Sequence, residues 1–311
     1  MALSAWFYGR RAPESGPITL GHRRVYILPT RRGVMFGVTL LIMRVGSIHY
    51  VLSLGFMLTF LLAGMALAGM VHTVRNLARV TVVTGRTESV FAGESAQFRL
   101  FLENVAPWER PAVMVRHDAS GAQIVTDVPA MGSADVVLPV PAARRGWVPL
   151  GRVSLETRFP LGLFRAWSVV RPDCRCLVYP RPEKFPLPPS SPDAHYGTRK
   201  AEAQGTDDYS GLRAYQPADS PRHVAWKQVA RSDTMLTKQF SGDASSELWL
   251  DWSALPVGLD LEARLSRLAG WVLAAEAAGL SYGLRLPHTQ VAPGHGDTHR
   301  TDCLTALALH E

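Results

Sequence analysis

Residues 51–71 (VLSLGFMLTFLLAGMALAGMV) run for 21 positions without a charged side chain. At 1.5 Å per residue, a helix over this run is about 31 Å long, the thickness of a bilayer's hydrocarbon core. It therefore reads as a transmembrane helix. Ahead of it, residues 33–50 (GVMFGVTLLIMRVGSIHY) are apolar apart from Arg44 and His49, and the two runs lie close enough to predict a helical hairpin over 33–72. Arg44 is the difficulty. A charge at mid-bilayer costs about 2.5–3.5 kcal/mol, against about 0.3–0.6 kcal/mol gained per aliphatic side chain. With Arg31 and Arg32 at one interface, Arg44 lies about 18 Å along the helix, so its side chain is expected to snorkel to the far surface. An intramembrane functional charge is the alternative. Gly64 and Ala68 give the second helix a small face suited to close packing.

Charge places the ends. Arg10, Arg11, Arg23, Arg24, Arg31 and Arg32 precede the hairpin, Arg75, Arg79 and Arg86 follow it, and the turn between is nearly uncharged. The positive-inside rule then predicts two spans with both long ends in the cytoplasm, residues 1–32 forming a basic segment. Some thirty mostly polar residues before the first apolar run, with no small-residue cleavage site after it, argue against a signal peptide. The net charge of +7 comes almost wholly from arginine, since the only lysines are Lys184, Lys200, Lys227 and Lys238. Those basic residues are scattered or crowd beside the hairpin, so nucleic acid is not an expected partner. Cys174, Cys176 and Cys303 form neither a disulfide framework nor a structural zinc pattern.

From 75 to 178 the pattern changes to short alternating runs, at 79–83, 96–102, 112–117, 135–140 and 151–156, punctuated by Gly, Pro and Asn. An antiparallel, immunoglobulin-like β-sandwich is predicted, acting as a spacer. Its last part, RRGWVPLGRVSLETRFPLGLFRAW over 144–167, joins a strand to an aromatic turn. Residues 180–204 begin PRPEKFPLPPSSP and read as an extended connector.

The densest cluster of charge and aromatics is DYSGLRAYQPADSPRHVAWKQVAR over 208–231. Residues 212–215 suit a strand, 216–219 a turn, and Ser220-Pro221 the start of a helix through Arg231. On that helix His223, Lys227 and Arg231 recur every four residues and share one face. They form a basic stripe suited to an acidic partner or a phosphate. The alternative is that Arg213, Arg222 and Arg231 pair with Asp207, Asp208 and Asp219 and hold the block together. In its order of residue types, Asp208, Tyr209, Gly211, Leu212, Arg213, Tyr215, Pro217, Asp219, Arg222, Trp226, Lys227, Ala230 and Arg231, the block resembles the bacterial family called domain of unknown function 58. The hairpin and the aromatic turn extend the likeness over most of the chain. Ala218, where the family commonly has glycine, and Ala225, where many members have an acidic residue, depart from the pattern.

Beyond the block, 247–251 (ELWLD) reads as a strand, 260–278 as an amphipathic helix, 281–286 as a strand and 298–309 as a helix, an alternation that suggests a small parallel sheet. The resemblance implies a von Willebrand factor type A-like fold here, within 205–311, whose metal site uses Asp-x-Ser-x-Ser. Asp251 and Ser253 match its first two positions, but Leu255 stands at the third, which leaves magnesium a poor ligand set. The turn PGHGDTH over 293–299 brings His295, Asp297 and His299 close in sequence, and reads as a glycine turn into a helix capped by Asp297 or Thr298.

The sequence thus predicts a multidomain α+β protein: a two-helix transmembrane hairpin, an antiparallel sandwich and a reduced von Willebrand A-like platform. The resemblance implies a bacterial inner-membrane location, a MoxR-type AAA+ ATPase as partner and a transglutaminase-like membrane protein as a second. An adaptor without catalytic residues is expected. A metal-assisted hydrolase built on Asp251, Ser253 and the 295–299 turn is the alternative.

Overall fold

The structure, a computed structural model, describes residues 12–188, 208–214, 236–241, 248–256 and 258–310. They fall into two compact units, Met1–Arg181 with Leu307–Glu311, and Pro182–Ala306.

The first unit is built on alternation. In β5 (Ser95–Asn104) every second residue is buried, among them Phe98, Leu100 and Leu102. Its antiparallel partner β8 (Ser133–Pro141) brings Leu138 opposite Phe98 and Val136 opposite Leu100, so one face of the pair is apolar throughout. Two more strands complete this sheet in the order β1-β3-β5-β8, namely β1 (Ile18–Thr19) and β3 (Val80–Thr84). A second sheet runs β2-β11-β10-β6-β7, from β2 (Tyr26–Pro29), β6 (Arg110–His117), β7 (Gln123–Val128), β10 (Val153–Thr157) and β11 (Phe164–Val170). A third contains β4 (Val90–Phe91), β9 (Gly146–Pro149) and β12 (Arg175–Tyr179) in the order β4-β12-β9. The shared core includes Leu20, Leu77, Phe98, Leu100, Val115 and Leu155.

Two helices interrupt this β body between β2 and β3. The first, α1 (Arg31–His49), is capped by Thr30, whose Oγ accepts from the Gly33 amide and donates to the Gly162 carbonyl at 2.7 Å. Gly33 is required there because a β-carbon would collide with the Leu163 carbonyl. The aromatic turn over 159–164 thus seats the helix on the β body. The second, α2 (Ser53–Leu77), exposes most of its apolar side chains, including Leu54, Met57, Phe60 and Leu67. A core helix of a globular body would bury them.

These findings correct the expected architecture. Among the described residues only Ser53–Leu77 is long and apolar enough to cross a membrane, so the two-helix transmembrane hairpin is replaced by one candidate span. The reason lies in α1: only eleven residues separate Arg32 from Arg44, about 16 Å of helix, half a bilayer core. Arg44 faces aromatic side chains of α2. Its guanidinium lies over the rings of Phe56 and Phe60 on α2, at 5.7 and 5.2 Å. The sandwich is not purely antiparallel, since β4 and β12 pair in parallel. Within the N-terminal part, β1 and β2 belong to the two main sheets.

The far end of α2 is locked into the β body by one side chain. Arg110, fully buried, donates from Nη1 to the carbonyls of Arg75, Asn76 and Ala78 at 2.9, 3.1 and 2.6 Å, satisfying the last turn of the helix. Its Nε donates to Asn104 Oδ1 at 2.6 Å. Asn76 adds bonds to the Pro111 carbonyl and to Thr157. Burial, then the neighbouring charge of Arg75, pushes the Arg110 pKa down.

In the second unit, β15 (Leu248–Asp251) is followed by α3 (Leu261–Ala277), capped by the Asp260 side chain on the Ala263 amide, and then by β16 (Tyr282–Arg285). This is a parallel pair with a helical crossover, and β17 (Gln290–Gly294) joins β16 antiparallel before α4 (Asp297–Ala308). Leu248, Leu250 and Leu284 from the sheet and Leu265, Leu268 and Val272 from α3 are all buried. A separate two-stranded ladder joins β13 (Asp208–Ala214) to β14 (Leu236–Ser241). The described residues thus form a three-stranded mixed sheet rather than the larger parallel sheet of a von Willebrand A domain, and that assignment is withdrawn. The start of the proline-rich connector packs on α3. The Glu183 amide donates to the Ser266 carbonyl at 2.9 Å, and Trp271 Nε1 donates to the Pro186 carbonyl at 2.8 Å.

Candidate functional site

Asp251 and Arg285 end the two parallel strands and are partners in register, so both side chains leave the same face at the same edge. Two residues back on that face are Trp249 and Gly283. A β-carbon on Gly283 would meet the Trp249 ring at 2.8 Å, and the space left open lets the indole lie across the sheet, with the Arg285 guanidinium 4.6 Å above it. After Asp251 the chain turns through Trp252–Ala254. That turn directs the Ser253 amide and hydroxyl onto Asp251 Oδ1, at 2.8 and 2.7 Å, while Arg285 Nη1 meets Oδ2 at 3.2 Å. Partial burial pushes the Asp251 pKa up, but the two Ser253 bonds and the guanidinium outweigh it and hold the carboxyl below its usual range.

The two candidate metal ligands, Asp251 and Ser253, are therefore brought together but bonded to each other. The serine hydroxyl spends its proton on the carboxylate, and the position a cation would take is held by Arg285. A hard divalent ion needs six or more oxygen ligands. Among the described residues no cluster of three or more His, Cys, Asp or Glu side chains could hold a metal. The donor set does not fit magnesium. Sequence reasoning missed Arg285, although both strands end an apolar run on a charge, and alignment in parallel puts the two charges side by side.

The 293–299 turn leads through Gly296 into a helix as expected, but without the expected cap. The helix α4 begins at Asp297, so neither Asp297 nor Thr298 stands before it as a cap. Instead the Gly296 amide donates to the Glu276 carboxylate at 3.1 and 3.2 Å, and Glu276 also accepts from the Tyr282 hydroxyl at 3.0 Å. His299 turns inward and Asp297 pairs with Arg300 at 3.0 Å, so His295, Asp297 and His299 do not converge. His299 Nε2 lies 2.6 Å from the Tyr282 carbonyl and 3.6 Å from Cys303 Sγ. A carbonyl only accepts, so Nε2 carries the hydrogen and cannot take a proton from the thiol. Burial first, then Asp302 and Glu276, pushes the Cys303 thiol up to about 12. Such a thiol is no nucleophile. Burial and the bond to Glu276 likewise push Tyr282 upward. The cluster pins β16 to the start of α4.

Of the 208–231 block, Asp208, Tyr209, Gly211 and Arg213 lie on β13, opposite Ser241, Phe240, Gln239 and Thr237, with an irregularity between Tyr209 and Gly211. This strand starts earlier than the 212–215 expected. Tyr215, Asp219, Arg222, His223, Trp226, Lys227 and Arg231 lie outside the described residues. In comparisons with known proteins, no family model matches the chain, and no curated protein matches it.

Proposed function

We propose that this protein is a membrane-anchored adaptor without a catalytic centre of its own, held in the bilayer by Ser53–Leu77 and presenting the 208–231 block to a soluble partner. What carries the reading is the closed state of Asp251. Where the ends of parallel strands commonly hold a ligand or a reacting group, this carboxylate is occupied by Ser253 and Arg285. The exposed apolar surface of α2 supports the anchor, and the arginines at 75, 79 and 86 favour a cytoplasmic β body. The resemblance of the block to domain of unknown function 58 points to a bacterial inner membrane and to a MoxR-type AAA+ ATPase as partner, with a transglutaminase-like membrane protein as a further one.

Photocrosslinking tests this in native membranes, with benzoylphenylalanine at Lys227 and mass-spectrometric identification of the adduct. An AAA+ ATPase is the expected product, and adducts to lipid or to a second copy alone count against the adaptor. Metal analysis of the purified full-length protein tests the hydrolase alternative. Stoichiometric divalent metal that disappears in Asp251→Ala would overturn the metal-free reading.

A further inference from the structure

We propose that the cleft at the base of α2 binds an anionic phospholipid, its phosphate among arginines and an acyl chain along the helix. The proposal rests on α2 lying in a membrane.

The cleft, about 570 Å³, is within the size range of small-ligand sites. One wall is the last apolar turn of α2, Met70, Val71 and Val74, and the facing wall is the β5–β6 turn with Val105 and Trp108. That turn is pre-set, because Asn104 Nδ2 donates to the carbonyls of Trp108 and Pro129 at 2.8 and 3.0 Å. Arg75, Arg79 and Arg110 also line it. Arg75 lies 3.8 Å over the Trp108 ring. No carboxylate among the described residues pairs with any of these three, whereas Arg24, Arg99, Arg165, Arg267 and Arg285 each have one.

Two further observations select a lipid over other anions. The uncharged run ends at Val71, one turn before Arg75, so the arginines sit where headgroups begin. Trp108 and Val105, 39% and 69% exposed, stand at the same level, as interfacial aromatic and apolar side chains do. Arg79 is also held with φ at +67°, a left-handed conformation rare for a residue with a side chain, and its amide donates to the Leu20 carbonyl at 2.7 Å. Such retained strain is a mark of functional positions. An acidic peptide would match the arginines but not the apolar wall that continues up the helix.

The test uses the full chain in nanodiscs of phosphatidylcholine and phosphatidylglycerol in equal amounts, with retained lipids counted by native mass spectrometry after the disc is stripped. Phosphatidylglycerol should be retained over phosphatidylcholine. That preference should fall about thirtyfold in R75Q/R79Q, two exposed positions, the factor for two arginines near a lipid surface. The charge-matched pair R23Q/R86Q should keep it. Equal retention of the two lipids by the wild type overturns the proposal. So does an equal loss in the control pair, or displacement of the lipid by inorganic phosphate. Flotation with vesicles of phosphatidylcholine reads the anchor separately. A chain that does not float breaks the membrane reading, and one that floats without lipid preference breaks only the site.

Discussion

Arg110 and Arg285 are both arginines on β-strands next to a cleft or sheet edge, and the protein neutralises them in opposite ways. Arg285 meets a carboxylate, Asp251, at a partly exposed edge, and the pair is completed by Ser253. Arg110 is buried and meets only neutral acceptors, three helix-end carbonyls and an asparagine. Carbonyl dipoles at a helix C-terminus carry about half a negative charge, so they balance the guanidinium in part. Arg75 and Arg79 line the cleft beside it, and among the described residues neither pairs with a carboxylate. The comparison separates a closed charge system from an open one. Around Asp251 each charge has its counterpart within the chain, while the arginines at the base of α2 meet no carboxylate among the described residues.

The sharpest way to break that contrast is to remove Arg110. In Arg110→Met three carbonyls lose this donor inside the protein and Asn104 Oδ1 keeps only the Ala106 amide, and the first unit should be destabilised by about 3 kcal/mol or more, read as a lower midpoint in chemical denaturation. A shift below about 1 kcal/mol would mean that the joint between helix and β body does not depend on it.

Alkaline titration ranks next and addresses the second unit. Cys303 ionises near its ordinary value of 9.0 in the unfolded chain, but only at about 12 when folded. Between those values the folded state holds more protons, so stability is complete below about pH 9 and falls as pH rises toward 12. Tyr282, also raised, adds to the fall from about pH 10 upward. The Cys303→Ala variant should lose the first part of that slope, measured by denaturation at each pH.

The smallest effect belongs to the closed pair itself. Asp251→Asn should cost about 1 kcal/mol at neutral pH, since the partners are partly exposed and solvent screens them. The depressed Asp251 pKa gives stability that is present above the unfolded value of 3.8 and is lost as pH falls through the lower folded one. The Asn variant should lack this acid limb.

How much of this was legible in advance depended on whether the signal was local. The run over 51–71 and the alternation in 96–102 are local patterns, and they lie in the helix Ser53–Leu77 and the strand Ser95–Asn104 respectively. In the second unit the elements at 248–251, 261–277, 282–285 and 297–308 appear within one or two residues of expectation, whereas β14 and β17 were not expected and β13 starts four residues early. The neighbours of Arg44 were not legible because a hydropathy reading has no term for an aromatic pair on a neighbouring helix, and Phe56 and Phe60 are visible as partners only once α1 and α2 lie side by side. The same holds for β1 and β2. Each is too short to show a period, and their partners Thr81 and Trp167 lie far along the chain. The candidate site was half legible: Asp251 and Ser253 were singled out by their resemblance to a family metal motif, but Arg285 comes from another strand, and that long-range partner decides whether the carboxylate is free to act.

The membership of β1 and β2 in the two main sheets has a consequence for the order of assembly. Tyr26–Pro29 leaves the ribosome early, yet its hydrogen-bonding neighbour is Phe164–Val170, made only after both helices and most of the other strands. The edge of the second sheet must therefore wait, with unpaired backbone groups, while the apolar helices find their place. Completion of the β body then reports that the helices have been accommodated, and a chain whose helices fail to settle keeps a sheet edge uncovered.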